Sequence, residues 1–211
     1  MRIRLNRGAA RRPLQWAQRM LLGCGLSALG YCGFALLDSW TFQNRDARRL
    51  ELLVHDRQAE KNNAPGPNVV AALAKIPAPR AADDLIGRLA IPRLGMSVMV
   101  VEGASGSVLR RAAGHIAGTA LPGQPGNAGI AGHRDMLFRP LRNIRENDVV
   151  RFTTPAADYW YRVVSTTIVS PTDVAMLEPG TNQSLTLVTC YPFNFVGSSP
   201  TRFIVRAERV P

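Results

Sequence analysis

Cys190, two histidines and several arginines are the residues in the last 127 positions of this chain that could together perform nucleophilic chemistry. Cys190 ends the β-type run SLTLVTC, just before Tyr191 and Pro192. A thiol at a strand terminus, where the backbone turns, can face a groove. A buried core cysteine is the plain alternative, since free cysteine behaves as a small hydrophobe. A nucleophilic cysteine needs a partner that makes or stabilises thiolate, usually histidine, and something cationic for a developing oxyanion. His133 lies in GIAGHRD, 57 residues before Cys190, and His115 lies in AAGHIAGT. Either histidine, taken alone, is as readily structural as catalytic.

The other cysteines, Cys24 and Cys32, fall in an apolar N-terminal run. Cys190 therefore has no nearby disulfide partner, and no spaced Cys or His pair suggests a zinc site. No acidic cluster suggests calcium either, so neither a metal nor a cofactor is expected. The formal charge of +11 raises the question of nucleic acid, but it is spread evenly. Residues 1–84 carry net +6 and residues 85–211 net +5. A phosphate footprint needs basic residues gathered on one face, so nucleic-acid binding is not expected.

These residues need elements to position them. Met20 to Leu37 is eighteen residues without a formal charge, flanked by Trp16 and Trp40. At ~1.5 Å per residue it is long enough for a transmembrane helix. Arg2, Arg4, Arg7, Arg11 and Arg12 precede it and Asp38 follows, which puts the N-terminus in the cytoplasm and the rest outside the cell membrane. A cleaved signal peptide is the competing reading, but no small-x-small site follows Leu37. The layout is then a basic N-terminus (1–19), an anchor (20–37), a short helical stalk with a Pro-rich linker (38–84) and a domain (85–211).

The domain reads as mostly β. Strands are expected over Ile86–Ile91, Ser97–Glu102, Asn127–Gly132, Val149–Thr153, Tyr159–Val169, Leu185–Cys190 and Arg202–Glu208. Helical turns are expected over Ser107–Ala113, within Met136–Ile144 and over Asp173–Leu177. Seven or eight short strands at this spacing suggest a closed or nearly closed barrel.

At the chemistry-bearing residues the sequence resembles the sortase family. The resemblance runs from RLAIPRLGMSVMVVEG through GHIAGTALPGQPGN, AGHRD and TLVTCYPF to TRFIVRAE. Each piece is weak; the ordered set with a single domain cysteine is specific. The wording of TLVTC and RFIVRAE is most like class D sortases. The resemblance implies a sortase-type barrel of about eight strands, with Cys190 as nucleophile, His133 as general acid/base and Arg202 as the arginine opening the last strand. It implies that Thr189 helps position substrate or oxyanion. His115 is the alternative base; Arg206 and Arg134 are the alternative arginines. The sequence departs from the family at Met136, where Thr is frequent, and at Glu146-Asn147-Asp148, which replaces a Gly-Asp turn.

The resemblance further implies acyl transfer in two halves. Cys190 would attack the Thr carbonyl of an LPxT-type C-terminal sorting motif in a protein substrate. An amine of a peptidoglycan peptide or a pilin lysine would then resolve the thioester. Two other exported cysteine enzymes fit less well: an L,D-transpeptidase lacks its Ser-x-Gly-Cys setting here, and a cell-wall amidase has Cys before His. An inert envelope scaffold is the non-enzyme alternative.

Overall fold

The computed structural model describes residues 11–63, 84–178, 180, 182–195 and 197–211. Arg2, Arg4, Arg7 and the Pro-rich segment 64–83 lie outside the described residues. The chain divides into two compact units, Met1–Thr41 and Phe42–Pro211. Helix α1 (Arg11–Asn63) provides the described part of the first and the start of the second. In the first unit Leu21, Leu22, Leu26, Leu29 and Phe34 are all exposed. By length and composition, this part of α1 is able to cross a membrane.

The second unit is an eight-stranded closed β-barrel. Its strands are β1 (Leu85–Ile91), β2 (Met96–Glu102), β3 (Ala113–His115), β4 (Asn127–Ala131), β5 (Val149–Thr153), β6 (Asp158–Val169), β7 (Ser184–Tyr191) and β8 (Thr201–Arg209). They close in the order β1-β2-β3-β4-β7-β8-β6-β5, with β5 returning to β1. The β2–β3 and β4–β7 pairs are parallel and the others antiparallel. Because side chains alternate along a strand, each contributes one face to the interior. Leu89 and Ile91, Val98 and Val100, Ile130, Val150 and Phe152, Tyr161 and Val163, Leu185 and Leu187, and Val205 and Ala207 fill that interior. Sealing each large apolar side chain stabilises the fold by roughly 1.5–3 kcal/mol.

The expected strands match seven of the eight observed. The eighth, β3, replaces the end of an expected helical segment. The helix stops after one turn as α2 (Gly106–Leu109), capped by Ser105, whose hydroxyl accepts the Val108 N–H. β3 is only Ala-Gly-His, and it is held by parallel pairing with β2 through Val101↔Gly114. A Cβ at Gly114 would stand 2.1 Å from the Gly103 carbonyl oxygen, so this close approach admits only glycine. Glu146-Asn147-Asp148 is a turn as expected, with Asn147 at φ 69°, the left-handed region a glycine would otherwise supply.

The compact unit begins at Phe42, earlier than the Leu85 start read from the sequence. The final turns of α1 pack on the outer face of the barrel. Phe42 joins Val101, Val108 and Ala112 in a small cluster, with the Arg111 guanidinium 5.0 Å above its ring. The Gln43 amide donates to the Arg111 carbonyl (2.7 Å) and accepts the Met99 N–H (2.8 Å). Met99 and Val101 point away from the interior yet are 2% and 0% exposed, because this helix covers them. Leu50 is 1% exposed, and Arg57 donates to the Thr154 carbonyl (3.3 Å) and to Asp158 (3.4 Å). We therefore expect Leu50→Ala to lower the unfolding free energy of the second unit by about 2–5 kcal/mol. Urea unfolding monitored through the barrel checks this, and an unchanged midpoint would show that the helix adds nothing.

A second fastening joins the turn before β5 to the one after β1. Arg93 forks onto Asp148, through Nε to Oδ1 and through Nη2 to Oδ2 (2.6 Å), and Nη2 also donates to the Asn143 carbonyl (2.6 Å). The Arg145 N–H donates to the same carboxylate (2.8 Å). The Arg93 hydrogen bonds hold the Asp148 carboxyl below its ordinary range, against the opposing effect of burial. A depressed carboxylate stabilises the fold above its unfolded value, and the contribution disappears as pH falls through the folded value. Wild type should therefore lose stability below about pH 4 more steeply than Asp148→Asn, which has no such proton to take up. Thermal melts at pH 7 and pH 3 give the comparison; parallel losses would rule the linkage out.

Candidate active site

Strand β7 carries Cys190 and is paired on both sides. On one side, β8 runs antiparallel with Cys190 directly opposite Arg202. Leu185 and Leu187 face the interior, so Cys190, at even parity, faces outward. Val205 and Ala207 face inward on β8, which puts Arg202 on the outer face too. Directly opposed side chains have Cβ atoms about 4.5–5.5 Å apart, so thiol and guanidinium stem are neighbours.

On the other side β4 runs parallel to β7, with Ala131 opposite Val188. The pairing extends past the strand end. The Gly132 N–H donates to the Val188 carbonyl (3.1 Å), and the Thr189 hydroxyl donates to the Gly132 carbonyl (2.7 Å). His133, the next residue, therefore leaves β4 level with Cys190. Ile130 points inward and a Cβ on Gly132 would point inward as well, 2.7 Å from the Phe138 ring. His133 then falls on the outer face, with Cys190 and Arg202. All three are half-buried. Among the described residues, neither the His133 ring nor the Cys190 thiol has a hydrogen-bond partner.

Arg202 is partly engaged. Its Nη1 donates to the carbonyls of Ser199 (3.3 Å) and Thr201 (3.1 Å), which leaves Nε and Nη2 without a protein acceptor among the described residues. Arg206 is also on the outer face, but opposite Thr186, roughly 14 Å along the strand from the Cys190–Arg202 pair at ~3.4 Å per residue. Arg134 is 5% exposed and fully committed. It donates to Ser199, to the carbonyls of Phe195 and Gly197, and to Asp135.

Thr189 and His115 sit differently from the outward trio. Thr189 is 2% exposed on the inner face, and its hydroxyl is given to Gly132. That hydroxyl does not reach the outer groove; it ties the cysteine strand to the residue before His133. His115 is 3% exposed at the end of β3. Its Nδ1 lies 2.9 Å from Glu102 Oε2, and its Nε2 3.0 Å from both the Ala120 carbonyl and Thr119 Oγ1. With both nitrogens spoken for, His115 braces β3 and the turn after it.

The segment between β6 and β7 lies against β4 and β7 on this outer face. Asn127 donates to the Met176 carbonyl (2.9 Å) and accepts from the Thr186 hydroxyl (2.7 Å). A short 3-10 turn (Ala175–Leu177) thereby lies against the outer face of β4, and Leu177 comes within 3.0 Å of a Cβ placed on Gly129. Val174, Ile168, Met136 and Phe195 are exposed apolar side chains near these segments in sequence. Sequence reasoning did not identify Ser199, which bonds to both Arg134 and Arg202. A serine in the loop GSSP carries no signal of its own.

The fold agrees with comparison to known proteins. Residues 89–210 match the sortase domain family. Sortase D of Bacillus subtilis is 27% identical over 191 residues, covering 90% of this chain and 96% of that protein. A lid mutant of sortase A from Corynebacterium diphtheriae superposes with a TM-score of 0.58 at 25% identity, covering 78% of this chain and 95% of that one. The X-ray structure of a Clostridium perfringens sortase C with the C-terminal cell wall sorting motif gives a TM-score of 0.59 at 23% identity, over 75% of this chain and 97% of that one. This chain belongs to the sortase family of cysteine transpeptidases.

Proposed function

We propose that this transpeptidase cleaves an LPxT-type sorting motif through a Cys190 acyl-thioester and hands the acyl group to an amine of the cell envelope or of a pilin. The observation that carries the reading is the outward trio: Cys190 opposite Arg202, with His133 leaving the adjacent strand at the same level. Ile168 and Val174 before β7 and Phe195 after it are exposed apolar side chains, the kind of surface that suits an extended peptide.

In the first half-reaction the Cys190 thiolate attacks the threonyl carbonyl carbon, and the C=O electron pair moves to oxygen. The unused N–H donors of Arg202, with a backbone N–H, stabilise that oxyanion. Collapse re-forms the carbonyl and breaks the C–N bond, while protonated His133 gives its proton to the departing amine. In the second half an acceptor amine attacks the thioester, neutral His133 takes its proton, and the C–S bond breaks to return the thiolate. Thr189 serves by position, holding Gly132 and hence His133 beside the cysteine strand.

The N-terminal assignments complete the reading. Residues 20–37 anchor the enzyme in the cell membrane, with residues 1–19 in the cytoplasm and the catalytic domain outside. Sorting-motif substrates with membrane tails then meet the enzyme in two dimensions. Residues 85–211 are the catalytic domain, and Phe42, Gln43 and Arg57 of the stalk pack on its barrel.

Cleavage of a quenched LPxTG peptide by purified variants is the test. Cys190→Ala should abolish turnover, and His133→Ala should cost about 10²–10⁴-fold in kcat. Arg202→Ala should lose about 10²–10³-fold. Full cleavage by both Cys190→Ala and His133→Ala would sink the assignment. His115→Ala should instead lower the melting temperature while leaving the rate of Cys190 alkylation near that of wild type. A selective loss of turnover without destabilisation would make His115 the base.

A further inference from the structure

Three segments meet at the outer face of the barrel: the turn after His133, the end of β7 and the loop 192–200 that leads from Cys190 to Arg202. Loops of this length do not hold a catalytic arrangement by backbone pairing alone, because their own backbone groups lack a ladder. Something must fix the loop to both strands.

We propose that Arg134 and Ser199 form a positioning network that sets the mutual placement of His133, Cys190 and Arg202. This rests on the assignment of those three residues above. Arg134 follows His133 directly, and its side chain is 6% exposed. Its Nη1 donates to Ser199 Oγ (2.5 Å), and its Nη2 donates to the carbonyls of Phe195 and Gly197 (3.3 Å to the latter). Its Nε donates to Asp135 (3.3 Å), and its guanidinium lies 5.9 Å from the Phe195 ring centroid. The guanidinium fork thus collects three acceptors of one loop from a position one residue beyond His133.

Ser199 passes the connection on. Its hydroxyl accepts from Arg134 and donates to the carbonyl of Tyr191, the residue after Cys190. The Thr201 hydroxyl donates to the same carbonyl (3.1 Å). The Ser199 carbonyl accepts from Arg202 Nη1 (3.3 Å). One serine therefore touches the neighbour of the histidine, the neighbour of the cysteine and the arginine itself. Through Ser199 the buried arginine beside His133 is thereby linked to the chain next to Cys190 and to Arg202.

The roles of Arg134 and Arg202 separate on chemistry. Arg134 spends its donors on carbonyls and a hydroxyl and has none aimed at the groove, so it is a positioning residue. Only a planar fork can serve Ser199, Phe195 and Gly197 at once, which a lysine ammonium cannot reproduce.

The test uses the full chain in detergent, with Arg134→Ala, Arg134→Lys, Ser199→Ala, Ser199→Thr and the double alanine variant. Peptide cleavage gives kcat and KM, iodoacetamide alkylation of Cys190 against pH gives a thiol reactivity profile, and melting temperature reports folding. Misplacement on the scale of an ångström costs on the order of 10²-fold, so Arg134→Ala should lose about that in kcat with KM little changed. Ser199→Ala should lose about 10-fold, and Ser199→Thr, which keeps the hydroxyl, should recover most of it. Arg134→Lys should recover only part. The double variant should cost no more than Arg134→Ala, because residues in one network are not additive. The alkylation profile should shift in the alanine variants. Should Arg134→Ala not fold, the Ser199 pair carries the same comparison while the Arg134 guanidinium keeps the Phe195 and Gly197 carbonyls. Variants that melt earlier yet keep wild-type kcat and an unshifted alkylation profile would overturn the network. Failure of wild type to cleave any sorting-motif peptide would overturn the proposed function instead, while the alkylation profiles would still judge the network.

Discussion

The pairing of β7 with a strand on each side is the constraint on which the site depends. Leu185 and Leu187 lie in the core, and the side-chain period of two then forces Cys190 outward. A slip of one residue against β8 would carry Leu185 and Leu187 to solvent and Cys190 inside. At roughly 1.5–3 kcal/mol for each large side chain, that slip costs a sizeable part of the ~5–15 kcal/mol that holds a domain folded. The core therefore enforces the register that sets the thiol opposite Arg202. The placement of the thiol is a consequence of burying apolar side chains on the opposite face of the strand.

The same reasoning explains why β4 must be parallel to β7 and end where it does. A parallel neighbour delivers its C-terminal end beside the C-terminal end of β7, so the chain leaving β4 emerges at the level of Cys190. Gly132 makes this departure possible, because any side chain there would drive into the Phe138 ring. The Thr189 hydroxyl locks the departure point to the cysteine strand. An inward residue on β7 and the glycine just past β4 thus act on the outward residues that follow each of them.

How much of this was legible in the sequence depends on which interactions leave a pattern. Strands with alternating apolar residues, such as Val149–Thr153, announce themselves. Ala113–His115 does not, because it is a strand by virtue of its neighbours: β2 beside it and Gly103 packed on its glycine. The order of Cys190, His133 and Arg202 was readable through the family resemblance, whereas the inward direction of Thr189 followed from the alternation of the strand itself and was not drawn. The docked end of α1 left little trace. It is polar apart from a few leucines, and it is fixed by Gln43 and Arg57 reaching main-chain carbonyls, contacts that hydropathy does not encode. Asn147 could be read as a turn residue, but its buried partner Asp148 and the Arg93 fork could not.

Part of the arginine content serves to fasten segments together. Arg57, Arg93 and Arg134 each reach a main-chain carbonyl in another segment. A guanidinium suits this work because its donors are fixed in a plane and it stays charged, so one side chain can close several carbonyls that a loop would otherwise leave to water. Arg134 and Arg202 sit at the two ends of that logic, one on each side of the loop between β7 and β8. One is buried with its donors satisfied, so its charge is spent on shape. The other is half-buried with donors left over, so its charge is available to whatever enters the groove. Exposure and unspent hydrogen-bonding capacity, more than residue type, separate the arginine that closes a loop from the arginine with donors to spare.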